Sequence, residues 1–195
     1  MIAAKIARVP VRVHTVAGMP LMVATGLKLQ LLKLIERITY ASATHVWPNG
    51  GSLKSFILKN RFTTCAKLSV IGNGSSNGVD TSRFNDEVLR KSVIEEVKKN
   101  IAYEPGCSYL LFVGRLVKDK GICELVNVFR EMVKKDPLLR LVLVGQFEKS
   151  LDPLPAEIEK EITHNNAIIH IYWTNKVEYY MSLANFFIFP SYREG

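Results

Sequence analysis

Residues 109–145 read YLLFVGRLVKDKGICELVNVFREMVKKDPLLRLVLVG, and this stretch decides the fold. Two short apolar runs, 109–113 and 140–144, suit buried strands, and the residues between them repeat apolar side chains at helical spacing. Parallel strands need a long crossover of this kind. Because neither run alternates apolar and polar residues, we expect helices to cover both faces of the sheet.

The same alternation continues on both sides of this stretch. It predicts further strands at 9–16, 44–48, 67–71, 167–171 and 186–189, and helices at 27–40, 52–60, 86–101, 155–163 and 176–184. The predicted fold is therefore α/β, with doubly wound, Rossmann-like parallel sheets. The glycine- and asparagine-rich run 72–78 suits no regular element and predicts a junction between two domains, 1–74 and 75–195.

The two predicted domains differ in charge. Residues 1–74 hold ten Lys or Arg and a single acid, a net charge of +9, whereas residues 75–195 carry a net charge of −1. We therefore expect the two parts to meet different partners. A nucleic-acid partner fits poorly, because the basic part has neither interleaved aromatic residues nor a helix-turn-helix or RNA-binding motif.

Cysteine usage and hydropathy indicate the compartment. Cys65, Cys107 and Cys123 form no CxxC pair, so we expect buried thiols in a reducing environment. The stretch 13–27, which contains no Asp, Glu, Lys or Arg, is too short to span a bilayer, and the basic residues before it do not suit a signal peptide. These features predict a cytoplasmic protein.

The loop at 114–121, directly after a predicted strand, offers an anion site. Arg115 and Lys120 place two cations near the start of the next helix, whose free N–H groups and dipole favour a diphosphate. Arg115 can bind phosphate bidentately, while Lys120 adds a point charge. A solvated basic loop is the alternative that this local pattern leaves open.

Three other loops at predicted strand ends carry candidate residues. Glu194 and Gly195 can bind sugar hydroxyls, although most glutamates in loops are only solvated. The glycines of 72–80 permit close approach to a ligand, with a plain linker as the alternative. Residues 172–174 offer an aromatic surface to a base, with packing of the rings as the alternative.

These segments together resemble glycosyltransferase family 4, whose members have the GT-B fold. In chain order they are NGVD at 77–80, VGR at 113–115 with KG at 120–121, LVG at 143–145, and PSYREG at 190–195. The resemblance covers essentially the whole chain, and its specificity comes from the order and spacing of the motifs. Residues 9–62 resemble the last part of the family's N-terminal, acceptor-side domain, especially in enzymes that build bacterial surface polysaccharides on polyprenyl diphosphate carriers.

The resemblance implies roles for residues at matching positions. Arg115 and Lys120 match the catalytic pair that holds the donor diphosphate and stabilises it as the leaving group. Glu194 matches a catalytic glutamate that contacts the donor sugar. The residues matching substrate-binding positions are Gly18, Asn77, Gly114, Tyr172, Trp173, Thr174 and Gly195.

The implied activity is retaining transfer of a hexose or N-acetylhexosamine from a nucleotide sugar, expected to be UDP-linked, in surface polysaccharide synthesis. The implied acceptor is lipid-linked or a saccharide. Family members generally need no metal or other cofactor, which agrees with two cations that can take the leaving charge. The family pattern extends beyond both ends of this sequence, so the resemblance implies a fragment with an incomplete N-terminal domain, which alone transfers little or no sugar.

Other interpretations stay open at this point. A non-catalytic nucleotide-sugar-binding domain would keep the donor site without turnover. A GT-B epimerase would need acids and histidines for proton abstraction, and a phosphorylase would need a lysine for pyridoxal phosphate; neither set is evident. Many relatives have a histidine at the place of Ala17, and we assign no catalytic role to the nearby His14.

The basic N-terminal part predicts a membrane partner. Lys28, Lys33 and Arg37 lie on the predicted helix 27–40 and can meet anionic headgroups at the inner membrane face. We expect the apolar stripe of this helix to face the core. A solvated basic face with no partner is the alternative.

Overall fold

The structure, a computed structural model, describes residues 1–75, 78–150 and 152–192. The described residues form two compact units, a first unit over Met1–Val79 and a second unit over Asp80–Tyr192. Each unit has hydrophobic clusters of its own. The assignment of 1–74 to an acceptor-side domain and of 75–195 to a donor-binding domain stays a prediction.

The first unit is built on a pair of parallel strands. β1 (Val13–Val16) pairs with β2 (His45–Pro48), and the long helix α2 (Gly26–Ser42) connects them. A short helix α1 (Ile2–Ile6) precedes β1, and α3 (Gly51–Lys59) follows β2. The core of this unit contains Val16, Met19, Leu21, Tyr40, Ala43, Val46, Leu53, Ile57, Phe62 and Leu68.

The predicted strands of the first unit are partly wrong. Residues 67–71 form no strand, because a 3-10 turn over Cys65–Lys67 leaves only a single parallel bridge between Leu68 and Val46. The strand predicted at 9–16 begins only at Val13. Helix α1 was not predicted, since five residues are too few to show a helical period.

The orientation of α2 also contradicts the prediction. Leu29 and Leu32 pack against the core, so the core-facing side is not the predicted stripe. Lys33, one of the three predicted membrane cations, is half-buried. The predicted stripe instead faces solvent, with Leu27 90%, Leu31 58%, Leu34 53%, Ile35 47% and Ile38 41% exposed. We call these five residues the outer stripe.

The second unit contains a four-stranded, fully parallel sheet. Its strands are β3 (Ser108–Val113), β4 (Leu139–Val144), β5 (Ile168–Ile171) and β6 (Phe186–Phe187), in the spatial order β5-β4-β3-β6. All four lie where the sequence predicts strands, although β6 is shorter than predicted. The two phenylalanines of β6 are 60% and 48% exposed at the edge of the sheet.

Helices cover both faces of this sheet, as the unbroken apolar runs predict. They are α4 (Lys91–Asn100), α5 (Ile122–Lys135), α6 (Ala156–His164) and α7 (Val177–Leu183). Leu110 and Phe112 pack with α5 and α6 on one face, while Tyr109 and Leu111 pack with α4 and α7 on the other. Successive residues of β3 thus enter different cores. The doubly wound α/β prediction is confirmed.

The helix predicted at 86–101 is interrupted. Asp86–Val88 forms a 3-10 turn, in which the side chain of Asn85 accepts a hydrogen bond from the Glu87 N–H. Leu89 and Arg90 are then extended, so α4 begins at Lys91. Asn85 caps the start of the 3-10 turn, and the extended residues Leu89 and Arg90 separate this turn from α4.

Candidate functional site

The candidate site lies along one edge of the second unit's sheet. Because its strands are parallel, their carboxyl ends lie at the same edge. The segments 114–121, 145–148, 172–174 and 188–192 leave the sheet there. Doubly wound sheets bind their ligands at this edge.

The turns after β3 and β4 touch at backbone distance. Gly114 and Gly145 have φ angles of 154° and 150°, and a Cβ atom on Gly145 would overlap the carbonyl oxygen of Gly114. The Leu116 N–H donates to the carbonyl oxygen of Gln146 at 2.8 Å and joins the two turns. Arg115 directly follows this junction, and its side chain is exposed.

The charge of Arg115 reaches the neighbouring loop. Hydrogen bonds from the hydroxyl and N–H of Ser150 lower the pKa of Glu148, and the positive charge of Arg115 adds a smaller lowering. Glu148 is half-buried just beyond the turn that follows β4. Arg115 therefore acts electrostatically on the edge at which its strand ends.

A 3-10 turn carries the second predicted cation to the start of α5. The turn spans Lys118–Lys120 and enters the helix through Gly121, which has a left-handed φ of 71°. The Leu125 N–H bonds to the Gly121 carbonyl oxygen at 3.0 Å, so the N–H groups before it have no partner within the helix. Lys120 thus precedes a helix end whose dipole favours anions.

The segment 190–192 packs onto the same helix end. The Tyr192 N–H donates to the Asp119 carbonyl oxygen at 3.0 Å, and the Tyr192 hydroxyl donates to Glu124 Oε1 at 2.9 Å. The bond to Glu124 raises the pKa of Tyr192. At Gly121, a Cβ atom would collide with Pro190. The chain therefore runs directly past the start of α5 just before residue 193.

Asp152, which was not predicted as a site residue, supports the turn over Lys118–Lys120. The Asp119 N–H donates to Asp152 Oδ2 at 2.7 Å across a separation of 33 residues. The Lys118 N–H also donates to the Asp152 carbonyl oxygen, at 3.4 Å. No local pattern marks an aspartate for a role so far along the chain.

The aromatic segment after β5 is open to solvent. Tyr172 is 63% and Trp173 66% exposed, so the alternative of packed rings is wrong. The Thr174 hydroxyl accepts the Lys176 N–H at 3.0 Å, next to the start of α7. The two rings are thus available for stacking at the same sheet edge as Arg115.

His170 is a further residue that sequence reasoning missed. Its Nε2 atom lies 2.8 Å from the Gly145 carbonyl oxygen, and its ring meets Phe147 at a centroid distance of 4.8 Å. Because Gly145 touches Gly114, His170 helps to hold the turn from which Arg115 leaves. Its position one residue before the end of a predicted strand was the available signal.

The remaining predicted residues lie elsewhere. Gly18 belongs to the first unit, two residues after β1. His14 is half-buried in the same unit, 5.4 Å from the Tyr40 ring between centroids, and burial lowers its pKa. Outside the described residues lie the predictions for Asn77, Glu194 and Gly195. The structure thus gathers Gly114, Arg115, Lys120 and 172–174 at one edge.

The described residues hold neither a cluster of metal ligands nor a helix that could cross a membrane. Residues 1–75, 78–150 and 152–192 contain no group of three or more His, Cys, Asp or Glu side chains placed to hold a metal ion. Among the described helices, none has the length and apolar content that crossing a bilayer requires.

Solved structures of known proteins share this architecture. HepE from Anabaena, crystallised with UDP-glucose, superimposes with a TM-score of 0.71 at 17% identity, over 97% of this chain and 49% of HepE. A glycosyltransferase from Rickettsia africae gives a TM-score of 0.66 at 17% identity, over 92% of this chain and 45% of that one. At these identities the likeness concerns the fold, which is that of the GT-B glycosyltransferases.

Sequence comparison identifies the family. Residues 93–195 match the family described as Glycosyl transferases group 1, and this chain belongs to that family. It is 32% identical over 196 residues to CapM, the capsular polysaccharide biosynthesis glycosyltransferase of Staphylococcus aureus, and the match covers all of this chain and 50% of CapM. The chain thus spans about half the length of this relative.

Proposed function

We propose that this chain supplies the donor-binding half of a glycosyltransferase that uses a nucleotide sugar. The diphosphate binds at the carboxyl edge of the second unit, between Arg115 and the start of α5. Family membership supports the class of reaction, and the name of CapM supports a place in surface polysaccharide synthesis. The crystallised complex of HepE supports UDP as the nucleotide.

One observation carries the proposal: α5 begins with N–H groups that have no partner within the helix, at the sheet edge where Arg115 and Lys120 lie. Arg115 is exposed where β3 ends, and Lys120 precedes the helix by two residues. Backbone contact between Gly121 and Pro190 brings the segment before Glu194 to the same place. A diphosphate is the ligand that suits such an end.

The chemistry of this site suits departure of a nucleoside diphosphate. Negative charge grows on the diphosphate as the bond to the sugar breaks, and fixed cations with aligned N–H groups stabilise it without rearranging. We propose that Arg115 and Lys120 do this without a metal, and that the sugar keeps its anomeric configuration. Glu194 is proposed, on the resemblance alone, to contact the sugar.

The neighbouring segment is proposed to recognise the base. Tyr172 and Trp173 offer exposed ring faces beyond β5, and a uracil ring stacks well on such surfaces. The transferred group is proposed to be a hexose or N-acetylhexosamine, and the acceptor a lipid-linked or free saccharide. We propose a cytoplasmic location, at the inner face of the membrane.

Calorimetric titration of the 195-residue chain with UDP tests the proposal. We expect binding that weakens in Arg115→Ala and Lys120→Ala. Lys118→Ala is the matched control, since it removes an exposed charge from the same loop. If the wild type and all three variants bind UDP with equal affinity, the proposal is wrong and the loop is only a solvated basic loop. Transfer of sugar is a separate measurement, and binding without transfer would indicate a binding module.

A further inference from the structure

The segment 172–176 connects β5 to α7 and carries the two exposed aromatic rings. The Gly145 N–H donates to the Ile171 carbonyl oxygen at 2.9 Å, and this bond fixes the end of β5 from which the segment leaves. The other end of the segment depends on α7, which has only seven residues. A helix of this length is not stable by itself, so contacts from outside must hold its start in place.

Arg83 supplies such a contact from far along the chain. Its Nη2 atom donates to both carboxylate oxygens of Glu178 at 3.1 Å, across a separation of 95 residues. The same nitrogen donates to the carbonyl oxygen of Asn175 at 3.4 Å. Glu178 lies in the first turn of α7, and Asn175 directly follows the segment 172–174. Arg83 thus bridges the start of the helix and the end of the aromatic segment.

The exposure of the two partners distinguishes this pair from an ordinary surface ion pair. The side chain of Glu178 is 12% exposed, whereas that of Arg83 is 56% exposed. A carboxylate withdrawn from water is costly without a cation beside it. Exposed ion pairs contribute little to stability, but loss of Arg83 would take the cation away from a largely buried carboxylate at the start of α7.

A capped turn presents Arg83 to the helix. Asp80 Oδ1 accepts the Ser82 hydroxyl at 2.6 Å and the Ser82 N–H at 3.1 Å, and these bonds lower the pKa of Asp80 below its ordinary value. The Arg83 N–H donates to the Asp80 carbonyl oxygen at 3.2 Å and closes the turn. Asp80 ends the NGVD motif at 77–80 and has no role in the proposed donor site. Its contacts give it a structural role, which is to orient Arg83.

Two further contacts reach the same part of α7. The Lys176 Nζ atom lies 2.8 Å from both carboxylate oxygens of Glu96 on α4. The Arg90 N–H donates to the Tyr179 hydroxyl at 3.5 Å. The Lys176 and Glu96 side chains are 36% and 54% exposed, so we expect their pair to contribute less than the pair that Arg83 makes.

We propose that Arg83 is a positioning residue for the nucleotide. Through Glu178 and Asn175, it holds the two exposed rings of the segment 172–174 in place for stacking on the base. This inference rests on the proposed function, since it requires the base to lie on these rings. Rings that are ordered before the ligand arrives lose less entropy on binding. The effect of Arg83 should therefore appear in recognition of the base and not of the diphosphate.

Calorimetry with two ligands separates these two parts of the site. The 195-residue chain is titrated with UDP and, separately, with inorganic pyrophosphate, which has no base. We expect Arg83→Gln to weaken UDP binding by about tenfold, because two rings lose their fixed position. The same substitution should change pyrophosphate binding by less than about twofold. Equal losses for the two ligands, or no loss for either, would overturn the proposal.

Two other arginine substitutions provide the controls. Arg83→Lys keeps a cation beside Glu178, so its UDP affinity should stay within about threefold of the wild type. Arg130 is a matched arginine on α5, 46% exposed and 3.7 Å from Glu131. Arg130→Gln should change the binding of either ligand by less than about twofold. A loss of UDP affinity as large as that from Arg83→Gln would mean that total charge decides binding, and would overturn the proposal.

A measurement without ligand tests the contacts of Arg83 directly. In a Trp47→Phe background, Trp173 is the single tryptophan of the chain. Time-resolved fluorescence anisotropy then reports the nanosecond motion of its ring. Arg83→Gln should increase this motion and Arg130→Gln should not; unchanged motion in Arg83→Gln would overturn the proposal. A wild type that binds neither ligand but shows this difference would count against the donor site and not against the contacts of Arg83.

Discussion

Gly121 and Pro190 touch through atoms that leave no room for a side chain. A Cβ atom on Gly121 would overlap the Pro190 carbonyl oxygen and lie 2.9 Å from the Pro190 Cβ atom. The start of α5 and the chain after β6 are therefore held together at backbone distance. The segment 190–192 therefore lines this helix end.

Substitution of Gly121 should destabilise the fold. Gly121→Ala strains a left-handed residue and overpacks its contact, so we expect a loss of about 2–4 kcal/mol in the free energy of unfolding. Gly106→Ala is the control, because Gly106 has a φ of 93° but open space around it, and should cost only about 1–2 kcal/mol. Urea denaturation measures both; equal losses would show that the Pro190 contact is unimportant.

Both cations of the proposed diphosphate site should be needed for UDP binding, and the geometry of Arg115 should matter as well as its charge. Arg115→Ala and Lys120→Ala should each cost about 1.5–3 kcal/mol in UDP binding, the scale of a hydrogen bond to a charged group. Arg115→Lys keeps the charge but loses bidentate geometry, so its affinity should fall between wild type and Arg115→Ala. If calorimetry gives Arg115→Lys the same UDP affinity as the wild type, Arg115 acts only through its charge and not through bidentate hydrogen bonds.

The three thiols should react at different rates. Cys65 is exposed, whereas burial raises the pKa values of Cys107 and Cys123. The thiolate is the reactive species, so a disulfide reagent at about pH 8 should modify one thiol quickly and two slowly. Cys65→Ser should abolish the fast phase. Rapid modification of all three native thiols would contradict this arrangement. The prediction of buried thiols holds for Cys107, whereas Cys123 is only half-buried and Cys65 is exposed.

Glu104 should contribute to stability in mild acid. Hydrogen bonds from the Cys107 thiol, and then from Arg140 at 2.6 Å, lower the pKa of Glu104 below its ordinary value of 4.5. A lowered carboxyl pKa means that the stabilisation is present above the unfolded-state pKa and is lost as pH falls through the folded-state pKa. Glu104→Gln should therefore flatten the dependence of unfolding free energy on pH below about 4.5.

Arg140→Gln should flatten the same part of the pH profile, because it removes the second cause of the shift. Urea titrations at a series of acidic pH values measure both variants. Profiles parallel to that of the wild type would show that the Glu104 interactions do not survive in solution.

The sheet of the second unit was predictable because its signals are local. Unbroken apolar runs such as 109–113 mark strands buried on both faces, and the turns after β3 and β4 each begin with a glycine. The cations of the site follow from the same turns. Contacts such as Asp119 with Asp152 were not predictable, because they join residues far apart in sequence.

Helix α2 shows where periodicity stops being informative. The helical spacing of its apolar residues predicts the helix itself, but the sequence has two apolar sides and only packing decides which one the core takes. Leu29 and Leu32 face inward although the longer stripe is on the other side. The apolar run 67–71 forms no strand for a similar reason. Only Leu68 pairs, in a single bridge to Val46, and pairing partners decide whether an apolar run becomes a strand.

The short strand β6 has a consequence for handling the protein. Its exposed phenylalanines lie on the outer edge of the sheet, where backbone groups of the strand face away from β3. Such an edge is a template for intermolecular strand pairing. Aggregation of this chain at high concentration should therefore begin at β6, and Phe186→Lys should raise solubility without disturbing the cores on the two faces of the sheet.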